Sequence, residues 1–367
     1  MNAMKAPKIW VVAAGTGGHI FPGLNIVAQM KKQYPNANFC FFGDPSRLEA
    51  KLIPAHGYKI TYLAAGRWKG TGLLAKLGGI FSIVQGFFQA LLKTFSEKPD
   101  LLLSIGGYVS VPVAMACIVR GVPFFIMEGN IRAGVANRLL SRFAKAVFTT
   151  AGSDAPQVMK ALTFEYGNPV RKDLRPIEIR PQVKRVLVLG GSQGALSLCR
   201  LSLEVFRDLD LGSKGIALFV QTGEKNFEQT KEWAAEFNID AWVQTAPFIN
   251  DVPKALCEAD VIVARAGMMT VAELAQAGAP TIFIPYPHAA DNHQAVNAKL
   301  LVEAGAALMV DETKGGSIDE LKTYVAQLCL GESSYSKRQK LSEAFRKWSK
   351  PHAAEDIVQK MAELAKL

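Results

Sequence analysis

The chain has 367 residues, 49% hydrophobic and 20% charged, enough for two ordinary domains with buried cores and no disulfide or metal staple. Twenty Phe residues, with Gly, Pro and Leu scattered without a fixed period, exclude disordered, collagen-like, coiled-coil and low-complexity classes. Lys and Arg number 42 against 32 Asp and Glu, a net charge of +10, which points to anionic partners: nucleic acid, an acidic membrane face or phosphorylated small molecules.

Cys40, Cys117, Cys199, Cys257 and Cys329 lie far apart in or beside apolar runs. No CxxC or Cys/His spacing occurs, so zinc is not expected and a reducing compartment is. Met1 to Lys8 holds no apolar signal-peptide region before the first strand-like run, so a cytoplasmic location is expected.

Short β-branched or aromatic runs alternate with helical patterns along the whole chain, as in stacked βαβ units. The first half predicts strands at Ile9–Ala13, Asn38–Phe42, Lys59–Leu63, Leu101–Ser104, Phe124–Met127 and Ala146–Thr149. The second half predicts Arg185–Leu189, Ala217–Gln221, Ala241–Gln244, Val261–Ala264, Thr281–Ile284 and Ala307–Val310. Apolar runs without alternation fit strands covered on both faces. The expected fold class is α/β, with two doubly wound, Rossmann-like domains of about six strands each.

Gly167-Asn168-Pro169 and the Pro- and charge-rich stretch Arg171–Lys184 mark a break read as a surface linker. The domains are expected at 1–170 and 171–350, with a closing helix over 351–367 that could pack on either. From Leu73 to Phe95, apolar residues recur at the spacing of one helical face, framed by Arg67, Trp68, Lys69, Lys76 and Lys93 and interrupted by Gly78, Gly79 and Gly86. Its uncharged core is shorter than a membrane span requires. It reads as a crossover helix packed on a sheet, as a surface for an anionic membrane, or as both.

Four Gly-rich turns follow strands. Gly15-Thr16-Gly17-Gly18-His19 comes first, then Gly106-Gly107-Tyr108, then Gly190-Gly191-Ser192-Gln193-Gly194, then Arg265-Ala266-Gly267-Met268-Met269-Thr270. Such turns let backbone N–H groups approach an anionic or strongly polar ligand at a helix N-terminus. Ile20 and Ser192 break the dinucleotide fingerprint in the first and third turns, and no Gly-Lys-Ser/Thr follows either. Lying at carboxyl edges of open α/β sheets, the four imply a ligand cleft between the domains. Ser192 adds a hydroxyl donor suited to a diphosphate. His19 sits where a general base would serve. Glu273 reads either as an acid complementing the first turn of its helix or as the acceptor for a ribose diol. His288, Asp291 and His293 match no zinc spacing, and Asp208-Leu209-Asp210 reads as solvated surface at a helix end.

GTGGHIFPG, GGYVSVP, EGN, GNPVR, GGSQGA and R-A-G-M-M-T-V-A-E-L-A-Q-A-G-A-P occur in this order from Gly15 to about Asn297. Together they resemble the MurG family. The resemblance implies GT-B architecture, two Rossmann-like domains facing across a cleft with the C-terminal helix returning to the first. It implies inverting transfer of GlcNAc from UDP-GlcNAc to the C4 hydroxyl of undecaprenyl-diphospho-MurNAc-pentapeptide, making lipid II from lipid I. On that basis Ser192 faces the diphosphate and Ile249, after Phe248, meets uracil through its backbone. Met268, Met269 and Thr270 line the nucleotide loop, Glu273 takes the ribose hydroxyls, Arg171 belongs to the donor site, and His293 and Gln294 lie by the sugar, which Gln294 touches. Thr16, Gly17, Gly18, His19 and Asn130 come from the acceptor side.

Two departures stand out. The family usually has Glu-Gln-Asn where this chain has Glu128-Gly129-Asn130, and the segment from Pro287 to Gln294 is one residue longer, with His293 where Gln is common. No cofactor or divalent metal is expected, because Gly-loop amides, helix N-termini and Arg171 can hold the leaving diphosphate. The expected partners are UDP-GlcNAc, lipid I and an anionic membrane surface through about Arg67–Phe95, at the cytoplasmic face and peripheral, with no nucleic acid. The competing readings are a UDP-GlcNAc 2-epimerase of the same fold, an NAD-dependent oxidoreductase and a non-enzymatic protein that binds anionic lipid.

Overall fold

A computed structural model of the protein describes residues 6–64, 73–191, 194–289 and 292–367, the side chains of 73–77 excepted. The chain divides into two compact units, residues 1–170 with 350–367, and residues 171–349. The first carries β1 (Lys8–Ala13), α1 (Gly17–Gln33), β2 (Asn38–Gly43), α2 (Glu49–Ala55), β3 (Lys59–Tyr62), α3 (Leu73–Glu97) and β4 (Leu101–Gly106). It continues with α4 (Ser110–Val119), β5 (Phe124–Glu128), α5 (Val135–Leu140), β6 (Ala146–Thr149), α6 (Ala155–Val158) and β7 (Leu162–Glu165). The second carries β8 (Arg185–Leu189), α7 (Leu196–Asp208), β9 (Ala217–Gln221), α8 (Phe227–Glu236), β10 (Val243–Ala246), α9 (Val252–Glu258) and β11 (Val261–Ala264). There follow α10 (Met268–Ala277), β12 (Thr281–Phe283), α11 (His293–Glu303), β13 (Leu308–Met309), α12 (Ser317–Cys329) and α13 (Ser334–Arg346). The last helix, α14 (Ala353–Ala365), belongs to the first unit.

Both sheets are parallel throughout, ordered β3-β2-β1-β4-β5-β6-β7 and β10-β9-β8-β11-β12-β13. Alternating side chains of β1 explain the layering of the first unit. Ile9, Val11 and Ala13 face one way, onto Val27 and Met30 of α1 and onto Ile357, Val358 and Met361 of α14. Trp10, Val12 and Ala14 face the other way, onto Ala90 of α3, Val113 and Cys117 of α4 and Leu140 of α5. With both faces covered, every position must be apolar, which is why these strands show no alternation. In the second unit, Val186, Val188, Val261 and Val263 pack on α7, α8 and α12 through Leu203, Phe206, Ala234 and Leu321.

Several sequence expectations need correction. The first sheet has seven strands rather than six. The missed β7 is a four-residue edge strand with Leu162 66% exposed, too short and too wet to leave an apolar run. β10 starts two residues late because Asp240–Trp242 form a 3₁₀ turn. The stretch after Arg171 is no loose surface linker. Leu174 and Ile177 are buried, Ile177 N–H donates to Ala277 O at 2.8 Å, and the buried Arg338 donates to the carbonyls of Arg180 (2.8 Å) and Pro181 (2.9 Å).

In α3, Gly79 and Gly86 do not interrupt a packing face but help form it, whereas Gly78 is exposed. Gly79, Gly86, Ala90 and Thr94 are buried along one stripe, and a Cβ at Gly86 would lie 1.9 Å from Ala64 O. Trp10 Nε1 donates to Glu97 Oε2 at 2.9 Å, tying the end of α3 to β1. Small residues let the helix lie close, so the bulky stripe points away from the sheet: Ile80, Phe81, Val84, Phe88, Leu92 and Phe95 are all exposed, Phe81 at 71% and Leu92 at 70%. Met115 and Val119 of α4 are exposed as well, and the Arg120 guanidinium lies 4.2 Å from the Phe95 ring centre. Among the described residues no helix is long and apolar enough to cross a membrane.

Candidate active site

In a doubly wound sheet, ligands settle where the strand order reverses, because neighbouring loops there leave in opposite directions. The reversal falls between β1 and β4 in the first unit and between β8 and β11 in the second. The four Gly-rich turns follow those four strands. This coincidence locates one candidate site in each unit.

The turn after β1 reverses through Gly15 at φ +104°, a conformation that favours glycine. Thr16 is the N-cap of α1, and Gly17, Gly18 and His19 form its first turn. His19 Nδ1 lies 3.1 Å from Ala14 O. A carbonyl only accepts, so Nδ1 carries the proton, and the neutral ring has its lone pair on Nε2. Gly106 and Gly107, at φ +143° and +93°, make room: a Cβ at Gly106 would lie 3.0 Å from His19 Nε2, and one at Gly107 2.6 Å from Ala14 O. Asn130 follows β5, the next strand, where the buried Glu128 accepts Asn130 N–H at 3.0 Å and Nδ2 at 3.2 Å. Glu128 also takes Gly134 N–H and Asn137 Nδ2, both at 2.9 Å. At Gly129, Asn168 Oδ1 stands 2.6 Å from where a Cβ would be, and Asn168 Nδ2 donates to Gly129 O at 2.9 Å. The space of a side chain at 129 is thus taken by Asn168 in this chain.

In the second unit, the turn after β8 has Gly191 at φ +80° and Gly194 at φ +76°, and a Cβ at Gly194 would lie 2.0 Å from Thr222 O. Gln221 Nε2 donates to Gly191 O at 2.9 Å. Ser192 lies outside the described residues. Gly267 caps α10, whose first turn is Met268, Met269 and Thr270, the two methionines buried. Glu273 falls in the second turn of α10, not the first, so complementing the helix dipole, an effect confined to the terminal turn, is not its role. Its carboxylate pairs with Arg171 Nε at 3.2 Å. Burial nevertheless pushes Glu273 above the usual carboxylate range, with Arg171 pulling the other way. Ile249 is buried beside the half-exposed Phe248. Gln294, in the first turn of α11 beside His293, accepts Tyr286 N–H at 3.0 Å.

Sequence reasoning gave no role to the side chains that hold these turns. Arg265, 6% exposed, donates to Ile284 O (2.9 Å), Pro285 O (3.1 Å), Glu312 Oε1 (2.7 Å) and Ser197 Oγ (2.8 Å). It thereby joins the ends of β11 and β12, the start of α7 and the segment after β13. Asn297, fully buried on α11, donates to Ala266 O at 2.9 Å. A charged residue directly after the apolar run Val261–Ala264 was the available signal for Arg265. Nothing local marked Asn137.

Residues 9–149 match the glycosyltransferase family 28 N-terminal domain and residues 185–359 its C-terminal domain. A UDP-N-acetylglucosamine--N-acetylmuramyl-(pentapeptide) pyrophosphoryl-undecaprenol N-acetylglucosamine transferase from Anaeromyxobacter sp. is 34% identical, over 98% of this chain and 94% of its own. The crystal structure of Acinetobacter baumannii MurG superposes with a TM-score of 0.76 at 29% identity, over 97% of this chain and all of that one. UDP-GlcNAc 2-epimerase from Neisseria meningitidis, at 13% identity and a TM-score of 0.67 over 97% of this chain and all of that one, shares the fold alone. Two Rossmann-like units of this kind make the GT-B fold, and the chain belongs to glycosyltransferase family 28 and, within it, to the MurG family.

Proposed function

We propose that the chain is the inverting transferase that moves GlcNAc from UDP-GlcNAc to the C4 hydroxyl of undecaprenyl-diphospho-MurNAc-pentapeptide, turning lipid I into lipid II. The observation that carries this reading is the 34% identity, over nearly the full length, to a transferase of that name, joined to Gly-rich turns at both switch points. His19, its proton held on Nδ1 by Ala14 O, has the tautomer a general base needs: Nε2 takes the proton of the attacking hydroxyl as the C4 oxygen bonds to the anomeric carbon and the bond to UDP breaks. One displacement inverts the centre, so no nucleophilic carboxylate is required. Thr16, Gly17, Gly18 and Asn130 serve the acceptor side. On the donor side, the amides of the Gly191–Gly194 turn, Ser192 and Arg171 meet the charge of the leaving diphosphate without a metal. Ile249, Met268, Met269 and Thr270 surround the nucleoside, Glu273 takes the ribose diol, and His293 and Gln294 lie by the sugar.

The chain works, on this reading, as a peripheral protein on the cytoplasmic face of the membrane. Support comes from the exposed stripe of α3, with Lys93 and Arg120 beside it, since an apolar face flanked by cations suits an anionic lipid surface. Arg67, Trp68 and Lys69 lie outside the described residues, as does the Lys76 side chain. A 2-epimerase of the same fold would have no use for that stripe.

Incubation with labelled UDP-GlcNAc and a lipid I analogue, without added metal, should yield labelled disaccharide, and His19→Ala should lower kcat by roughly 100-fold or more. Isomerised UDP sugar in the absence of acceptor would favour the epimerase instead. For Glu273, only the carboxylate accepts both ribose hydroxyls. Affinity for UDP should therefore rise with pH through the raised Glu273 pKa and level off above it. Calorimetric titration of Glu273→Gln should show roughly tenfold weaker binding with that pH dependence gone; an unchanged profile would remove Glu273 from the ribose. Replacing Phe81, Phe88 and Leu92 together by Ser should weaken sedimentation with anionic vesicles by about tenfold or more, leaving turnover of a soluble acceptor intact. Equal sedimentation would end the membrane assignment.

A further inference from the structure

The buried Glu49, 1% exposed at the start of α2, is absorbed by none of the roles above. Its Oε2 accepts Gly15 N–H at 3.0 Å and its Oε1 accepts Asp44 N–H at 3.1 Å. Gly15 N and Ala14 O are the two ends of one peptide group, and Ala14 O is the atom that His19 Nδ1 approaches at 3.1 Å. Carboxylate, peptide and imidazole are therefore connected in series: Oε2 to H–N, across the planar amide, then C=O to H–Nδ1. Hydrogen bonds in such a chain polarise one another, and a negative charge at one end makes the carbonyl at the other a stronger acceptor. Four glycines clear the space for it. Gly15 supplies the positive φ, a Cβ at Gly43 would lie 2.6 Å from Glu49 Cγ, one at Gly107 2.6 Å from Ala14 O, and one at Gly106 3.0 Å from His19 Nε2.

We propose that Glu49 is a positioning residue for His19, acting through the Ala14–Gly15 peptide in the way a carboxylate bonded directly to the ring would act. It fixes the Nδ1–H tautomer, aims Nε2, and stabilises the imidazolium formed once Nε2 has taken the acceptor's proton. The proposal rests on the reading of His19 as the base. Among the described residues, titratable groups on the neighbouring elements include Glu49 on α2, Asp44 in the turn before it, Tyr108 after β4 and Glu128 at the end of β5. Asp44 Oδ1 accepts from Ser46, and Glu128 holds Asn130, Gly134 and Asn137. Glu49 is the one whose hydrogen bond reaches the peptide that holds the ring.

The test is an NMR titration of the whole protein carrying ¹⁵N-labelled histidine, with the His19 signals assigned by their loss in His19→Gln. In Glu49→Gln the His19 pKa should fall by about one unit, as expected for removing one negative charge at this range. The neutral ring should also lose its preference for Nδ1–H. The acidic limb of the kcat/KM profile should move to lower pH by the same amount, with UDP affinity held within about twofold. Glu49→Asp keeps the charge on a shorter arm and should show about half the fall. If the Gln variant does not fold, the Asp variant decides alone. Unchanged His19 titration and tautomer in the folded variant, even with stability reduced, would overturn the proposal and leave Glu49 a loop brace. Normal kcat in His19→Gln would instead remove the base assignment, while the NMR coupling still stands or falls by itself.

Discussion

A chain leaving the carboxyl end of a buried parallel strand carries backbone N–H and C=O groups that have lost their ladder and gained no solvent. Leaving one unpaired costs about 1–3 kcal/mol, more beside a charge. Glycine turns intensify the demand, because they bring backbone onto backbone and contribute no side chain of their own. Here the demand is met by buried charged groups from neighbouring elements. Glu49 serves the turn after β1, Glu128 the loop after β5, and Arg265 the ends of β11 and β12. Each meets two backbone groups at once, which is how an ionised group is tolerated in a protein interior. The turns are then fixed before any ligand arrives, and preorganised donors are what a developing charge requires.

Much of this was legible in the sequence because it rests on local, one-dimensional signals. β1 reads as a strand from Ile9 to Ala13, the turns read as Gly clusters after apolar runs, and α14 shows a stripe at Ile357 and Met361 that the core of the first unit takes up. The misses share a cause. Glu49 lies 34 residues from the turn it holds and Asn297 31 residues from Ala266, and no local pattern reports a hydrogen bond of that span. β7 escaped because an edge strand needs few apolar residues. Glu273 was placed one turn too early because helix starts are the least certain feature of a sequence reading. At Gly129 nothing in the sequence hinted that Asn168, 39 residues on, occupies the space beside it.

α3 illustrates the opposite case, in which the pattern was read correctly and its orientation was not contained in it. An apolar stripe is usually the buried side of a helix. In α3, Gly79, Gly86 and Ala90 dock instead, since Gly86 meets Ala64 O more closely than any Cβ permits, and the large side chains turn outward. This exposed apolar stripe is what supports the membrane contact proposed above.

The central claim is that the loops at the candidate site are locked by buried charges in the free protein. Amide hydrogen exchange of the ligand-free chain, read residue by residue, tests it most directly. Gly15, Asp44 and Asn130 lie in loops, yet their N–H groups donate to Glu49 and Glu128, so they should exchange as slowly as the amides of β1. Exchange at the rate of open loops would show that these turns are not held until a substrate orders them, and would contradict the account.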